Sequence, residues 1–209
     1  MRSGEVIGAE ALVRWRHPVR GLLPPGQFLP DIQDTVLEAV FGDWGIATAL
    51  ADCRRLRCSG IELPFSVNIS ARHLEILETS ALQDLGLVSG IIDECHAIGV
   101  GFALDDFGTG YSSLTYLRRL PVDILKIDQS FVRGILDSRE DIAVLKSILR
   151  LAEALGRDVI AEGVETAEHG RILLDLGCAL GQGYSIAHPM PLEALPQWLR
   201  GWRPDPSWR

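Results

Sequence analysis

Short apolar runs alternate with helix-patterned stretches along most of this chain, and that alternation restricts the fold more than any other feature. Runs at Val6–Trp15, "DILKID", "DVIAEGV" and "ALGQGYSI" read as strands, as does Val100–Asp105. Between and beside them, Thr35–Leu56, Leu82–Ile98, Ser112–Leu120, Asp141–Leu155, Glu168–Leu176 and Leu192–Leu199 read as helices. Asp141–Leu155 is the clearest, with Ile142, Leu145, Ile148, Leu149, Ala152 and Leu155 on one face and Gly156 as its stop. In Thr35–Leu56, the residues Val36, Val40, Trp44, Ala47 and Ala51 recur at helical spacing and predict a helix, against the helix-weakening Gly42 and Gly45. "HPVRGLLPPGQF" reads as a turn-rich loop. Strands alternating with helices predict a parallel α/β fold.

One place breaks the pattern. Phe65–Ser70 reads as a buried strand and Leu74–Leu77 as the start of the next, with only Ala71, Arg72 and His73 between them. Neighbouring parallel strands need a crossover of a dozen or more residues. Either these two strands are antiparallel, or a crossover helix is missing.

The strands share a second feature: each carries or ends in a polar group. Glu10 lies on the first, Asn68 on the second and Glu75 on the third. Asp105 and Asp106 end the fourth, Lys126 and Asp128 the fifth and Glu162 the sixth, and Gln182 lies on the last. A strand alternates faces with period two, so Lys126 and Asp128 share a face, as do Ala103 and Asp105, and Glu10, Leu12 and Arg14. In a (β/α)8 barrel such strand ends converge on one mouth, where barrel enzymes carry their active sites. One acidic residue after a strand reads equally well as a helix N-cap; a polar group on every strand does not. Six carboxylates in one mouth would have to take up protons unless a counter-charge met them, and one lysine is too little. The donors are all oxygen, which suits Mg²⁺, Mn²⁺ or Ca²⁺ rather than zinc. Two such cations suit phosphoryl hydrolysis, and Arg14 is placed to pair with a phosphate oxygen.

Charge and composition narrow the class. The 209 residues carry a formal charge of −8, which argues against binding a nucleic-acid polymer. Cys53, Cys58, Cys95 and Cys178 form no C-x-x-C pair and read as buried free thiols in a reducing cytosol. The five histidines are scattered and read as ordinary loop or helix residues. The N-terminus has no apolar signal region, and no run is long enough for a membrane helix.

Several blocks, in order, resemble those of the EAL domain family: "EALVRW", "VNIS", "LEILETSAL", "ALDDFGTGYSSLTYLRRLPVDILKIDQSFV", "VIAEGVET" and "GCALGQGYSIAHPMP". The resemblance covers nearly the whole chain and implies one EAL domain over 1–209, built as a TIM-like (β/α)8 barrel. It implies hydrolysis of cyclic di-GMP to linear pGpG with Mg²⁺ or Mn²⁺. By position, Glu10, Asn68, Glu75, Asp105 and Asp128 match metal ligands, and Asp106 matches a ligand of the second metal. Lys126 matches the lysine that positions the attacking water, and Glu162 matches the general base. Arg14, Leu12 and Gln182 match substrate-contacting positions. Glu78 matches the glutamate that braces the "DDFGTG" loop, and Glu165 matches a supporting residue. That loop implies a homodimer through the 105–120 region.

Two departures accompany the resemblance. Family members begin with a strand bearing a Gln-Pro-[Ile/Leu/Val] block ahead of the EAL signature, and Met1 comes too late to hold it. Members also carry a helix and loop where this chain has only seven residues from Asn68 to Glu75. The expected barrel is therefore incomplete, lacking its first strand and one crossover helix. Three readings stand at this point: a phosphodiesterase, a non-catalytic EAL scaffold that binds cyclic di-GMP or a protein partner, or a truncated fragment that folds poorly.

Overall fold

The structure is a computed structural model that describes residues 1, 3–33, 35–69, 85–108 and 114–208. The chain divides into two compact units, Val6–Ala81 with Pro189–Gly201, and Met1–Glu5 with Leu82–His188 and Trp202–Arg209.

In the smaller unit, β1 (Ala9–Ala11) pairs parallel with β4 (Phe65–Val67), Glu10 facing Ser66. The expected strand Val6–Trp15 is therefore only three residues long. The stretch read as a loop holds a hairpin instead, β2 (Trp15–His17) against β3 (Gly21–Leu23). Its turn is closed by His17, whose Nδ1 accepts from the backbone N–H groups of Val19 and Arg20 at 3.1 and 3.0 Å. Gly21 takes the positive φ that follows. After the short helix α1 (Leu29–Ile32), α2 (Val36–Cys58) starts at Thr35, whose hydroxyl accepts from Leu37 N.

The helix is present as expected, and the residues that recur at helical spacing are on its exposed side. Val36, Val40 and Trp44 are 85%, 64% and 52% exposed, while Ala49 and Leu56 are 5% and 4% exposed. The helix is apolar on both sides, so periodicity offers two candidate inner faces, and the one bearing Ala49 and Leu56 is the one buried. The expected buried strand Phe65–Ser70 is likewise shorter, ending at Val67, and only half-buried. The Leu74–Leu77 strand lies outside the described residues.

The larger unit is a four-stranded parallel sheet in chain order: β5 (Ala103–Phe107), β6 (Ile124–Ile127), β7 (Asp158–Glu162) and β8 (Leu180–Gln182). The helices are α3 (Leu85–Ala97), α4 (Leu114–Arg119), α5 (Gln129–Gly134), α6 (Arg139–Ala154) and α7 (Ala167–Asp175). β5 begins later than Val100 because residues 98–100 still close the end of α3, Val100 N donating to Cys95 O. β8 stops at Gln182 because the next residues fold into a turn in which Ile186 and Ala187 donate to Gly183 O. α6 matches its expected face, burying Leu145, Ile148 and Ala152.

Every second residue of β6 is driven inward. Leu125 and Ile127 are wholly buried, with Leu145, Ala152, Ala161 and Leu173 around them. Trp208 closes the unit, donating from Nε1 to Ala167 O at 2.8 Å and packing where a side chain at Gly170 would otherwise stand. All four cysteines are free, but Cys178 alone is buried, its thiol pushed up to about 11 by burial; Cys58 is exposed at the end of α2. No described helix is long and apolar enough to cross a membrane.

Candidate metal and phosphodiester site

The polar groups of the larger unit gather around Lys126. With Leu125 and Ile127 committed to the core, the pleat turns Lys126 to the opposite face. There it is 5% exposed. Its Nζ lies 3.0 Å from Asp105 Oδ2 on β5 and 2.6 Å from Glu162 Oε1 on β7. A buried ammonium needs such partners, and both flanking strands supply one.

Asp105 and Asp106 are adjacent, so a regular strand would send them to opposite faces. A β-bulge changes this. Leu104 pairs with Leu125 and Phe107 with Ile127, so both Asp105 and Asp106 stand opposite Lys126. Asp106 takes the strain with φ of 51°, the one non-glycine positive φ among the described residues. Aspartate tolerates that region better than most side chains. The strict alternation expected for this strand therefore holds up to Asp105 and fails after it.

Donor oxygens of Asp105, Asp106 and Glu162 lie within 4.8 Å of one another. Burial pushes the Asp106 carboxyl up, the charges of Asp105 and Asp128 push it further, and Lys126 offsets part of this. Burial acts on Asp128 too, but hydrogen bonds from the hydroxyl and backbone N–H of Ser130 hold its carboxyl below the usual range. Asp128 also caps α5, so the N-cap role weighed for the acidic residues applies to it while it still faces Asp106. An all-oxygen carboxylate set with one member raised by burial and by like charges fits a hard divalent cation.

Glu162 lies opposite Gln182 in the β7–β8 register. The Gln182 carbonyl accepts from Val164 N at 3.0 Å. Glu165 faces Arg133 of α5 instead, with Arg133 Nε donating to Oε1 at 2.8 Å. Neither Arg133 nor Ser130 stands out in the sequence; the Asp-x-Ser spacing of an N-cap is the one signal that points to Ser130.

The smaller unit holds a second pair. Asn68, just past the end of β4, donates from Nδ2 to Glu10 Oε1 on β1 at 2.7 Å. Arg14 donates from Nη1 to the neighbouring Val13 carbonyl at 2.8 Å, and Leu12 is partly exposed. Glu75 and Glu78 lie outside the described residues.

A parallel α/β unit whose strand ends carry carboxylates around one lysine offers a group that could hold a divalent cation. A profile described as "EAL domain" matches residues 1–75 and 71–189, and the chain belongs to the EAL domain family. The match comes in two pieces that meet at 71–75, where the sequence is short between Asn68 and Glu75. The chain is 36% identical to the cyclic di-GMP phosphodiesterase PA2567 of Pseudomonas aeruginosa over an aligned length of 223 residues. That alignment takes in 95% of this chain and 38% of the relative, so the chain spans well under half of the relative's length. Its aligned length exceeds the chain's own 209 residues, so the relative carries residues that this chain lacks. Among solved structures, the PaMucR phosphodiesterase in complex with c-di-GMP superposes with a TM-score of 0.82 at 36% identity, covering 93% of this chain and 89% of that one. The EAL enzyme Bd1971 with cAMP and cyclic di-GMP bound gives 0.85 at 32%, covering 95% of this chain and 62% of that one. The fold is thus the TIM-like α/β fold of EAL domains.

Proposed function

We propose that residues 1–209 act as one EAL domain that hydrolyses cyclic di-GMP to linear pGpG, using Mg²⁺ or Mn²⁺ at a two-metal site, in the cytoplasm. The observation that carries this reading is Lys126 held between Asp105 and Glu162 on three consecutive strands, with Asp106 and Asp128 beside them. Relatives named as cyclic di-GMP phosphodiesterases support it.

In this reading Asp105, Asp106 and Asp128 hold the cations, and Glu10, Asn68 and Glu75 supply further oxygens. Bound divalent cations supply the charge that activates water and steadies the departing oxygen. Two carboxylates grip the Lys126 ammonium, and in this reading that ammonium positions the attacking water. Glu162 accepts the water's proton as the water oxygen attacks phosphorus and one phosphodiester bond opens. Arg14, Leu12 and Gln182 bind the substrate. For Arg14 this requires its guanidinium to leave the Val13 carbonyl for a phosphate oxygen. Glu78 and Glu165 support the 105–120 region, Glu165 through Arg133, and that region forms a homodimer contact.

The Glu162→Ala variant is expected to bind cyclic di-GMP and to lose about 10²–10⁴-fold in turnover, the share of a general base. Calorimetric binding together with chromatographic detection of pGpG decides this; retained turnover removes Glu162 from the role. The second reading, a scaffold that binds without cleaving, is favoured by the break in the family match at 71–75, where the ligand position Glu75 falls. Wild-type protein that binds cyclic di-GMP and yields no pGpG with either metal establishes it.

A further inference from the structure

Asp128 spends one of its two oxygens on the helix that follows it. Ser130 donates to Asp128 Oδ1 from its backbone N–H at 2.9 Å, and again from its hydroxyl. A carboxylate carries about four lone-pair sites shared by its oxygens, so these two donors fill Oδ1. The backbone bond alone satisfies a helix N-cap. The hydroxyl bond is an addition, and it falls on a carboxylate that is also hydrogen-bonded to Asp106 of the site.

Three contacts keep that pose by seating α5. A Cβ at Gly163, just after β7, would lie 2.6 Å from Gln129 Cβ, and one at Gly108, just after β5, would lie 2.5 Å from the Phe131 ring. Arg133 donates to Glu165 from the last turn of α5. The helix is thus packed against the segments that follow both strands flanking β6. Asp128 cannot turn Oδ1 away from it without giving up both Ser130 bonds.

We propose that Ser130 sets the cation preference of the site: it makes Asp128 a one-oxygen ligand, through Oδ2, and so favours Mn²⁺ or Mg²⁺ over Ca²⁺. This rests on the hydrolase reading, in which Asp128 holds a cation. Mg²⁺ demands near-octahedral geometry at short distances, and Mn²⁺ shares that oxygen chemistry. Ca²⁺ takes roughly six to eight oxygens at longer distances and is often gripped by both oxygens of one carboxylate. An occupied Oδ1 deprives Ca²⁺ of such a grip and leaves the smaller ions unaffected. Ser130 acts through Asp128, as a positioning residue.

Mn²⁺ binding to the full 209-residue chain, followed by electron paramagnetic resonance with Ca²⁺ as competitor, gives the ratio of the two affinities. Wild-type protein is expected to prefer Mn²⁺. Ser130→Ala is expected to shift the ratio about tenfold toward Ca²⁺, the share of one hydrogen bond to a charged group. Ser130→Thr keeps the hydroxyl and is expected to keep the wild-type ratio. Ser130 is exposed and its backbone N–H still caps α5 in both variants, so their far-ultraviolet dichroism should match the wild type. A residue that only caps the helix would lower the melting temperature and leave the ratio alone. A wild type that prefers Ca²⁺, an alanine variant with the wild-type ratio, or a threonine variant that behaves like alanine overturns the inference. pGpG formation with Mn²⁺ is measured on the same samples. A wild type that binds Mn²⁺ and forms pGpG, with a ratio indifferent to Ser130, overturns this inference and leaves the hydrolase reading standing. A wild type that binds no Mn²⁺ and forms no pGpG removes both.

Discussion

Asp106 shows what one residue contributes to the site and what it costs the fold. It occupies a left-handed backbone conformation, and its carboxyl is raised by burial and by two like charges. An acid whose folded pKa is raised destabilises the protein once it ionises, so at neutral pH this charge works against folding. Asparagine keeps the shape and the tolerance for positive φ but removes the charge. Asp106→Asn in metal-free buffer is therefore expected to melt at or above the wild-type temperature at pH 7. The gap should close in acid, as the wild-type carboxyl protonates. Added Mn²⁺ should raise the wild-type melting temperature and raise that of the variant much less. A clear loss of stability in the metal-free variant would contradict the like-charge account.

Among the elements, the β7 and β8 ends hold the Glu162–Gln182 corner through backbone packing. Val164 N donates to the Gln182 carbonyl, and Ser185 Oγ donates to Val164 O at 2.7 Å. A Cβ at Gly183 would meet the Val164 backbone at 2.3 Å, where no side-chain rotation relieves it. Gly183→Ala is expected to cost about 3 kcal/mol or more, read from denaturant titration. At the opposite end of the sheet, Asp123 Oδ2 accepts from Phe102 N at 2.7 Å and faces His96 Nε2 at 3.0 Å. Burial opposes ionisation of Asp123, yet the Phe102 amide, His96 and the nearby Arg157 together hold its carboxyl below the usual range. A lowered folded pKa gives stability that is present above the ordinary aspartate value of about 4 and is lost as pH falls through the lowered one. The Asp123 side chain is 47% exposed, so screening keeps the effect small. Asp123→Asn is expected to lower stability by at most about 1 kcal/mol at pH 7, with the deficit vanishing as acid protonates the wild-type carboxyl. Several elements are plain in the sequence and several are not, for physical reasons. α6 declares itself by one apolar face, and β6 and β7 by short, largely apolar runs. α5 is six residues long, too short for periodicity to register. The β2–β3 hairpin depends on a histidine ring nitrogen accepting in the turn, which no propensity anticipates. The side of α2 that is buried is ambiguous because both sides are apolar. The bulge in β5 leaves no periodic trace, although the two aspartates it serves are evident, and so are Lys126 and Glu162.

At the scale of the whole molecule, burial is uneven. The main cluster of buried residues, from Ile92 through Ile127, Leu145 and Leu173 to Trp208, lies in the larger unit. The smaller unit buries Leu23, Phe28, Ala49, Leu56 and Leu195 among its described residues. Local opening follows buried contact density. Hydrogen exchange read by mass spectrometry is expected to be faster for peptides from 6–69 than for those containing β6, α6 and β7. Equal protection would show that the chain opens only as a whole. Such unevenness suits a domain whose larger unit already gathers five of the candidate site side chains, Asp105, Asp106, Lys126, Asp128 and Glu162. That gathering obeys a counting rule. A strand shows neighbouring side chains to one chamber only by slipping out of phase with the strand beside it, and β5 slips by a single residue between Leu104 and Phe107. Shortening that span by one residue brings the phase back, relaxes the backbone and strips the chamber of one acid. Removing a residue from this span should thus be gentle to folding and ruinous to the proposed cation site.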